Sequence, residues 1–241
     1  MPPFCTACYR LHRNAALEPT QQYESNRPSN HHPRHPTIDV CTLPHHTTLR
    51  RTVCRYDSTT GILTPNGAVV TNTAGAGPRH MVFHPTLPVA YVINEMHSTV
   101  SVYNYDAAAC TLASELQNNV STLAAGKGPS SDAVSTCAAL RIHPSGKFLY
   151  GSNRGDDSIT LFSIDQKDGT ITFVKTIESD PAKVDKGGSP RDFLLVTPTL
   201  MLVANQDSNN IHGFKVDVDT GDLTFTGETT NCPTPIVLCV V

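Results

Sequence analysis

The apolar positions of this chain fall in short runs and not in helical stripes. "VAYVIN" at 89–94 is followed by a polar turn and then by "TVSVYNY" at 99–105, where apolar and polar residues alternate. Alternation with a period of two places one side of a segment in a core and the other outside, which is the signature of a strand. The β-branched and aromatic content of these runs points the same way.

The pattern recurs. One unit reads "GPRHMVFHPTLPVAYVINEMHSTVSVYNYD", the next "CAALRIHPSGKFLYGSNRGDDSITLFSIDQKDGTITFV", and the third "SPRDFLLVTPTLMLVANQDSNNIHGFKVDVDTGDLTFTG". His84 returns as His143 and Asn94 as Asn153, each 59 residues on, and Asn153 returns as Asn205 after 52. Each unit resolves into four strands. A first strand such as Met81–Phe83 meets a His-Pro turn, and "VAYVIN" follows. An Asx-rich turn then leads to the alternating strand, and a D-x-x-x-G-x-L hairpin leads to the last. Asp, Asn and Gly supply the local hydrogen bonds and positive φ that such corners require. "RYDSTTGILTP" at 55–65 matches the end of a unit, and the final "CPTPIVLCVV" matches the start of another. Repeated four-stranded units predict an all-β fold, a β-propeller of four-stranded blades. A solenoid or a sandwich is the alternative, and sandwiches rarely repeat internally.

Residues 1–53 differ in character from 54–241. The first segment is rich in Pro, His, Arg, Asn and Thr and keeps no period. It lacks the apolar surface to offset the entropy of ordering, so it reads as a disordered or irregular segment before the repeats. Cys5 and Cys8 have the spacing of half a zinc site, with His31, His32 and His35 as conceivable ligands, but no second spaced pair completes a pattern. An odd tail is the simpler reading, and no metal is expected.

Charge and composition narrow the function. The chain has 241 residues, 16% of them charged, and a net charge of −3 with no basic stripe. Nucleic acid is therefore not an expected partner. No apolar run approaches the roughly 18 residues of a membrane helix, so no membrane partner is expected. The N-terminus lacks the apolar core of a signal peptide. Eight scattered Cys make no disulfide framework and fit a reducing, cytoplasmic location. Cys110, Cys137 and Cys239 read as small core residues on strands.

"GPRHMVFHP", "RIHPSGKFLYGSNRGDDSI" and "SPRDF…VANQDSNNI" resemble the seven-bladed β-propeller lactonases, which include propeller-type 6-phosphogluconolactonases and carboxy-cis,cis-muconate cyclases. The resemblance covers residues 54–241. It implies seven blades, whereas the chain holds three whole units, the end of one before them and the first strand of one after. An N-terminally truncated propeller is the expectation. The resemblance also implies hydrolysis of a sugar-acid lactone, most like 6-phosphoglucono-lactone to 6-phosphogluconate in the pentose phosphate pathway. A muconate-type lactonising enzyme, or a non-catalytic propeller fragment acting as a binding module, are the alternatives.

In a propeller, the loop entering each innermost strand and the turn between the second and third strands share one face around the central channel. Arg79 and His80 should there meet Glu95. Asn153, Arg154 and Asp156 should join from the second unit, and Arg191, Asp192, Asn205, Gln206 and Asp207 from the third. A lactonase needs a base for water and donors for the developing oxyanion. It also needs arginines to grip an anionic substrate. Glu95, His80 and Arg79 are the candidate catalytic residues. Arg154, Arg191, Asn153 and Gln206 are the candidates for binding a small anionic lactone. No G-x-S-x-G, H-E-x-x-H or P-loop is present, so direct attack by water is expected, with no cofactor. Glu95 and Arg154 break the repeat, which favours function. His84 and His143 repeat and read as turn caps. The recurring Asn94, Asn153 and Asn205 favour a turn role over a ligand role, and Asp57, Asp168 and Asp219 read as hairpin residues. The oligomeric state is left open by the sequence.

Overall fold

The computed structural model describes the strand backbones within 9–10, 18–19, 38–41 and 50–56. It also describes residues 62–239 apart from 72, 74, 107, 110, 126–134 and 183–186. Cys5, Cys8, His31, His32, His35, Asp57 and Cys110 lie outside the described residues. Every regular element among those described is a strand. β1 (Tyr9–Arg10) pairs with β2 (Glu18–Pro19), and β3 (Ile38–Cys41), β4 (Arg50–Tyr56) and β5 (Leu63–Thr71) form a three-stranded sheet. The 53/54 boundary drawn from composition thus falls inside β4.

Three four-stranded antiparallel sheets follow in chain order. The first holds β6 (Pro78–Phe83), β7 (Val89–Asn94), β8 (Thr99–Asp106) and β9 (Thr111–Ser121). The second holds β10 (Thr136–Ile142), β11 (Phe148–Arg154), β12 (Ser158–Ile164) and β13 (Ile171–Glu178). The third holds β14 (Pro190–Thr197), β15 (Leu200–Asn205), β16 (Asn210–Val216) and β17 (Leu223–Asn231). The first strands β6, β10 and β14 stand side by side, as the innermost strands of adjacent blades do.

The strand character follows depth. Every residue of β7 is buried: Val89, Tyr91 and Ile93 pack against the second sheet, and Ala90 and Val92 lie in a cluster with Tyr103, Tyr105 and Leu112 of their own sheet. The outer strand β13 is mostly wet, with Ile171 alone fully inside. The core therefore lies between sheets. Tyr91, Ile93, Leu140 and Phe162 join the first two, and Tyr150, Leu161, Phe193 and Phe214 join the second and third. Truncating Phe162 to Ala would cost about 3–5 kcal/mol.

The repeat is also a repeat of contacts. Tyr91 donates its hydroxyl to the Gly169 carbonyl at 2.9 Å, and Tyr150 donates to Gly221 at 2.7 Å. Those glycines close the D-x-x-x-G turns, with Ile171 in the first and Leu223 in the second two residues on. Gly221 N–H bonds the Asp217 carbonyl at 2.8 Å with φ at +76°, while the Asp217 carboxylate takes the amides of Asp219 and Thr220. A side chain on Gly221 would come within 2.7 Å of Phe148, so both conformation and space demand glycine there.

The His-Pro turns clamp one sheet to the next. His84 Nδ1 accepts the amides of Thr86 and Leu87, which leaves Nε2–H to donate to the Gly146 carbonyl in the second sheet at 3.0 Å. His143 makes the same pattern, accepting from Ser145 N–H and donating to Pro198 in the third sheet at 2.9 Å. One strand expectation does not hold. Cys137 is buried on β10, but Cys239 lies past β17, off any described strand and only half-buried. Its segment still docks on the blade, with Leu238 N–H bonded to Asp192 at 2.9 Å.

Candidate active site

The sheets end at one face in turns that are held by the next unit. Ser98, Asp157 and Asn209 close the turns between second and third strands, all with positive φ. Ser98 donates to the Ser135 carbonyl, Asp157 accepts from Ser189 N–H, and Asn209 accepts from Thr234 N–H, at 2.8–2.9 Å. Each turn thus fixes the loop that leads into the following inner strand. By the same register Ile236 stands where Arg79 and Arg191 stand in their units, two residues after the clamped position.

Each inner strand also carries a bulge at its start. Between Pro78 and Met81 two residues face one on β7, and the register breaks likewise at Cys137/Leu140 and Pro190/Asp192. A bulge suspends the usual up-down alternation. Consecutive residues, Arg79 with His80 and Arg191 with Asp192, can then both serve the channel mouth.

The arrangement there is an ion cluster. Glu95 follows β7 and its backbone N–H bonds the Gly77 carbonyl, which brings it beside the start of β6. One carboxylate oxygen takes Arg154 from the second sheet, and the other lies 3.7 Å from Arg79 Nε. The Glu95 side chain is 32% exposed, so water reaches it. Arg79 Nη1 donates to the Ala138 carbonyl at 2.7 Å and shares a 3.0 Å hydrogen bond with His80 Nε2. Arg154 also bonds the Cys137 carbonyl at 3.1 Å, while its Nε is buried with no partner among the described residues. A buried donor left without an acceptor is unusual in a native interior.

Arg191 approaches from the third sheet and bonds the Gln206 side chain at 3.2 Å. Arg79 lies within the fields of Arg154, Arg191, Glu95 and Asp192, and burial together with the like charges lowers its proton affinity. Burial, followed by the charges of Arg79 and Arg141, pushes His80 down to about 4, so its imidazole is neutral. Cys137 is buried and its thiol is pushed up to about 12, which removes it as a nucleophile.

The structure therefore gathers Arg79, His80, Glu95 and Arg154 in one hydrogen-bonded cluster, with Arg191 and Gln206 beside it. Asn153 is not in it. This side chain is fully buried, and its amide bonds the Thr122 carbonyl, Ser158 and Thr160 at 2.9–3.1 Å. One neighbour, Arg141, was not singled out in the sequence, although its partner Asp192 was. Arg141 on β10 pairs with buried Asp192 at 2.9 Å and lies over the Phe193 ring. Burial raises the Asp192 carboxyl, and Arg141 opposes that shift. The available signal was one charged residue, Arg141, in the otherwise apolar "CAALRI".

The cluster itself sets four guanidiniums against two carboxylates, an excess of two positive charges, with Asp157 and Asp207 standing beside it. Among the described residues Arg191 has a neutral partner only. An open polar cavity of about 680 Å³ lies beside the cluster and shares Gln206 with it, lined also by Gly155, Asp157, Ser189, Asp207 and Thr234. Its two carboxylates repel an anion, which leaves the arginine side as the place for one.

A propeller of four-stranded sheets with a cationic, carboxylate-bearing mouth defines a class. The chain belongs to the lactonase family of 7-bladed β-propellers, whose model matches residues 48–241. A 6-phosphogluconolactonase of Bacillus subtilis (strain 168) is 31% identical over 182 residues, which are 75% of this chain and 48% of that one. A 6-phosphogluconolactonase of Formosa agariphila is 40% identical over 153 residues, 62% of this chain and 39% of the relative. The periplasmic gluconolactonase of Pseudomonas aeruginosa superposes with a TM-score of 0.65 at 26% identity, over 91% of this chain and 61% of that one. The chain spans about half the length, or less, of these curated relatives. Among the described residues no helix is long and apolar enough to cross a membrane.

Proposed function

We propose that this chain carries the hydrolytic site of a sugar-acid lactonase, with 6-phosphoglucono-lactone as substrate. The observation that carries the reading is Glu95, a water-accessible carboxylate held between Arg79 and Arg154. The two curated relatives named as 6-phosphogluconolactonases support the choice of substrate.

In this reading Glu95 takes a proton from water as its oxygen attacks the lactone carbonyl. Negative charge grows on the carbonyl oxygen, where the partly exposed guanidiniums of Arg79 and Arg154 offer positive charge and donors. The ring C–O bond then breaks, and Glu95 returns the proton to the leaving alkoxide. Water has added across the ester, with no net change at the protein. Arg191 grips the permanent anion of the substrate, because its own partner is neutral. Gln206 holds Arg191 in place. A cytoplasmic setting fits the unpaired thiols Cys137 and Cys232.

The test is acid release at constant pH from freshly prepared 6-phosphoglucono-lactone by the full chain. Release well above the spontaneous rate, and its loss in Glu95→Gln, is the expected result. A rate equal to that of buffer overturns the reading. Faster turnover of a carboxymuconolactone in the same assay would move the substrate class while keeping the site.

A further inference from the structure

We propose that His80 is a positioning residue that holds Arg79 in place, and that it is not the base. The inference rests on the proposed lactonase reading for its kinetic consequence but not for its geometry.

The hydrogen-bond inventory of Arg79 sets the argument. Nη1 carries two hydrogens, and two acceptors lie within reach, the Ala138 carbonyl at 2.7 Å and His80 Nε2 at 3.0 Å. A guanidinium only donates, so Nε2 must be the acceptor. The proton of the neutral ring is then on Nδ1. An Nε2 lone pair already taken by Arg79 cannot remove a proton from water. With Nη1 pinned on one side, Nε faces Glu95 at 3.7 Å, and the described residues give Nη2 no partner. His80 therefore aims two edges of the guanidinium, one at the carboxylate and one at the substrate.

The neighbouring units show what the position is for. The bulge places Arg79 and His80 on one side of β6, where an unbulged strand would send them apart. In β14 the residue after the arginine is Asp192, and it holds a guanidinium too, that of Arg141. In β10 the same places are Ala138 and Ala139, which leave the Ala138 carbonyl open to Arg79. The residue that follows the arginine place thus receives a guanidinium in two of the three sheets. A neutral imidazole can do so only while unprotonated, which agrees with the depressed basicity that burial, Arg79 and Arg141 impose on His80.

Two variants and one spectrum test this. His80→Gln keeps an acceptor near the Nε2 place, and His80→Phe does not. His80→Phe should lower kcat/KM by about 10- to 100-fold through a misplaced arginine, and His80→Gln should recover most of that. The acid limb of the pH–rate profile should stay where it is in His80→Gln, because His80 does not take the proton. Independently of activity, 15N NMR of the wild-type full chain should show His80 protonated at Nδ1 and bare at Nε2 from neutral pH down to about 4. In Arg79→Met its titration should rise toward 6.5. Protonation at Nε2 at neutral pH, equal damage in the two variants, or loss of the acid limb in His80→Gln would each overturn the proposal. A wild-type chain without lactonase activity would count against the function, while the spectrum would still decide the role of His80.

Discussion

The two ends of the inner strands carry similar residues and use them in opposite ways. At the His-Pro end, His84 and His143 repeat after 59 residues, are buried, and have both ring nitrogens committed to backbone groups. At the mouth end, Glu95 and Arg154 hold the same place in two units with opposite charge, are partly exposed, and Arg154 keeps a donor unused. A polar residue that recurs in register can be explained by the fold it helps to repeat. One that departs from the register, and is left incompletely satisfied, needs another partner, and a substrate is the natural one. In a repeat protein, then, the breaks in the pattern are the place to look for chemistry.

The comparison can be broken at the mouth first. Arg154→Ala should lower kcat/KM by about 10²- to 10³-fold, through loss of a charged donor at the oxyanion. Arg154→Lys, which keeps charge but not the planar fork, should recover only part of it. Steady-state kinetics decides. Next comes the pH dependence of stability. His80 has a folded-state value of about 4 against 6.5 when unfolded, so the unfolded chain binds the proton more readily. Its contribution is whole above pH 6.5 and is lost as pH falls toward 4. Denaturant melts should show wild type losing on the order of 2 kcal/mol more than His80→Gln over that range, allowing for partial exposure.

At the His-Pro end Gly146→Ala should destabilise by about 1–2 kcal/mol with little change in kcat. Its φ is +73° and a side chain would sit 2.8 Å from the His84 ring. The smallest effect belongs to neither end. Lys175 on β13 and Asp222 in the turn before β17 form an exposed pair, and Lys175→Ala should change stability by less than about 0.5 kcal/mol. A larger loss would mean that the outer edge, and not the inter-sheet core, sets stability.

The sequence exposed what is periodic. The β7 and β8 strands, the His-Pro turns and the D-x-x-x-G-x-L hairpins all follow from local pattern, and the structure has them at the expected residues. The Glu95 cluster was legible because a repeat fixes which loops share a face. Arg141–Asp192 was not, since the partners stand 51 residues apart and nothing local in "CAALRI" says which way Arg141 turns. Asn153, named as a binding candidate although its recurrence favoured a turn role, takes the turn role. It lies next to Arg154 in sequence, but strand alternation points it inward, onto Thr122 of the preceding segment. The bulges, which turn Arg79 and His80 to one side, have no sequence signature of their own.

The most direct measurement crosses the two ends. Glu95→Gln and His84→Asn are each measured for kcat/KM on 6-phosphoglucono-lactone and for melting temperature. Glu95→Gln should lose about 10²-fold or more in kcat/KM and keep its melting temperature within a few degrees. His84→Asn should lose about 1–2 kcal/mol of stability and keep kcat/KM at temperatures where it is folded. Full activity in Glu95→Gln, or a loss of kcat/KM in folded His84→Asn as large as that in Glu95→Gln, would contradict the assignment of chemistry to the mouth and structure to the turns.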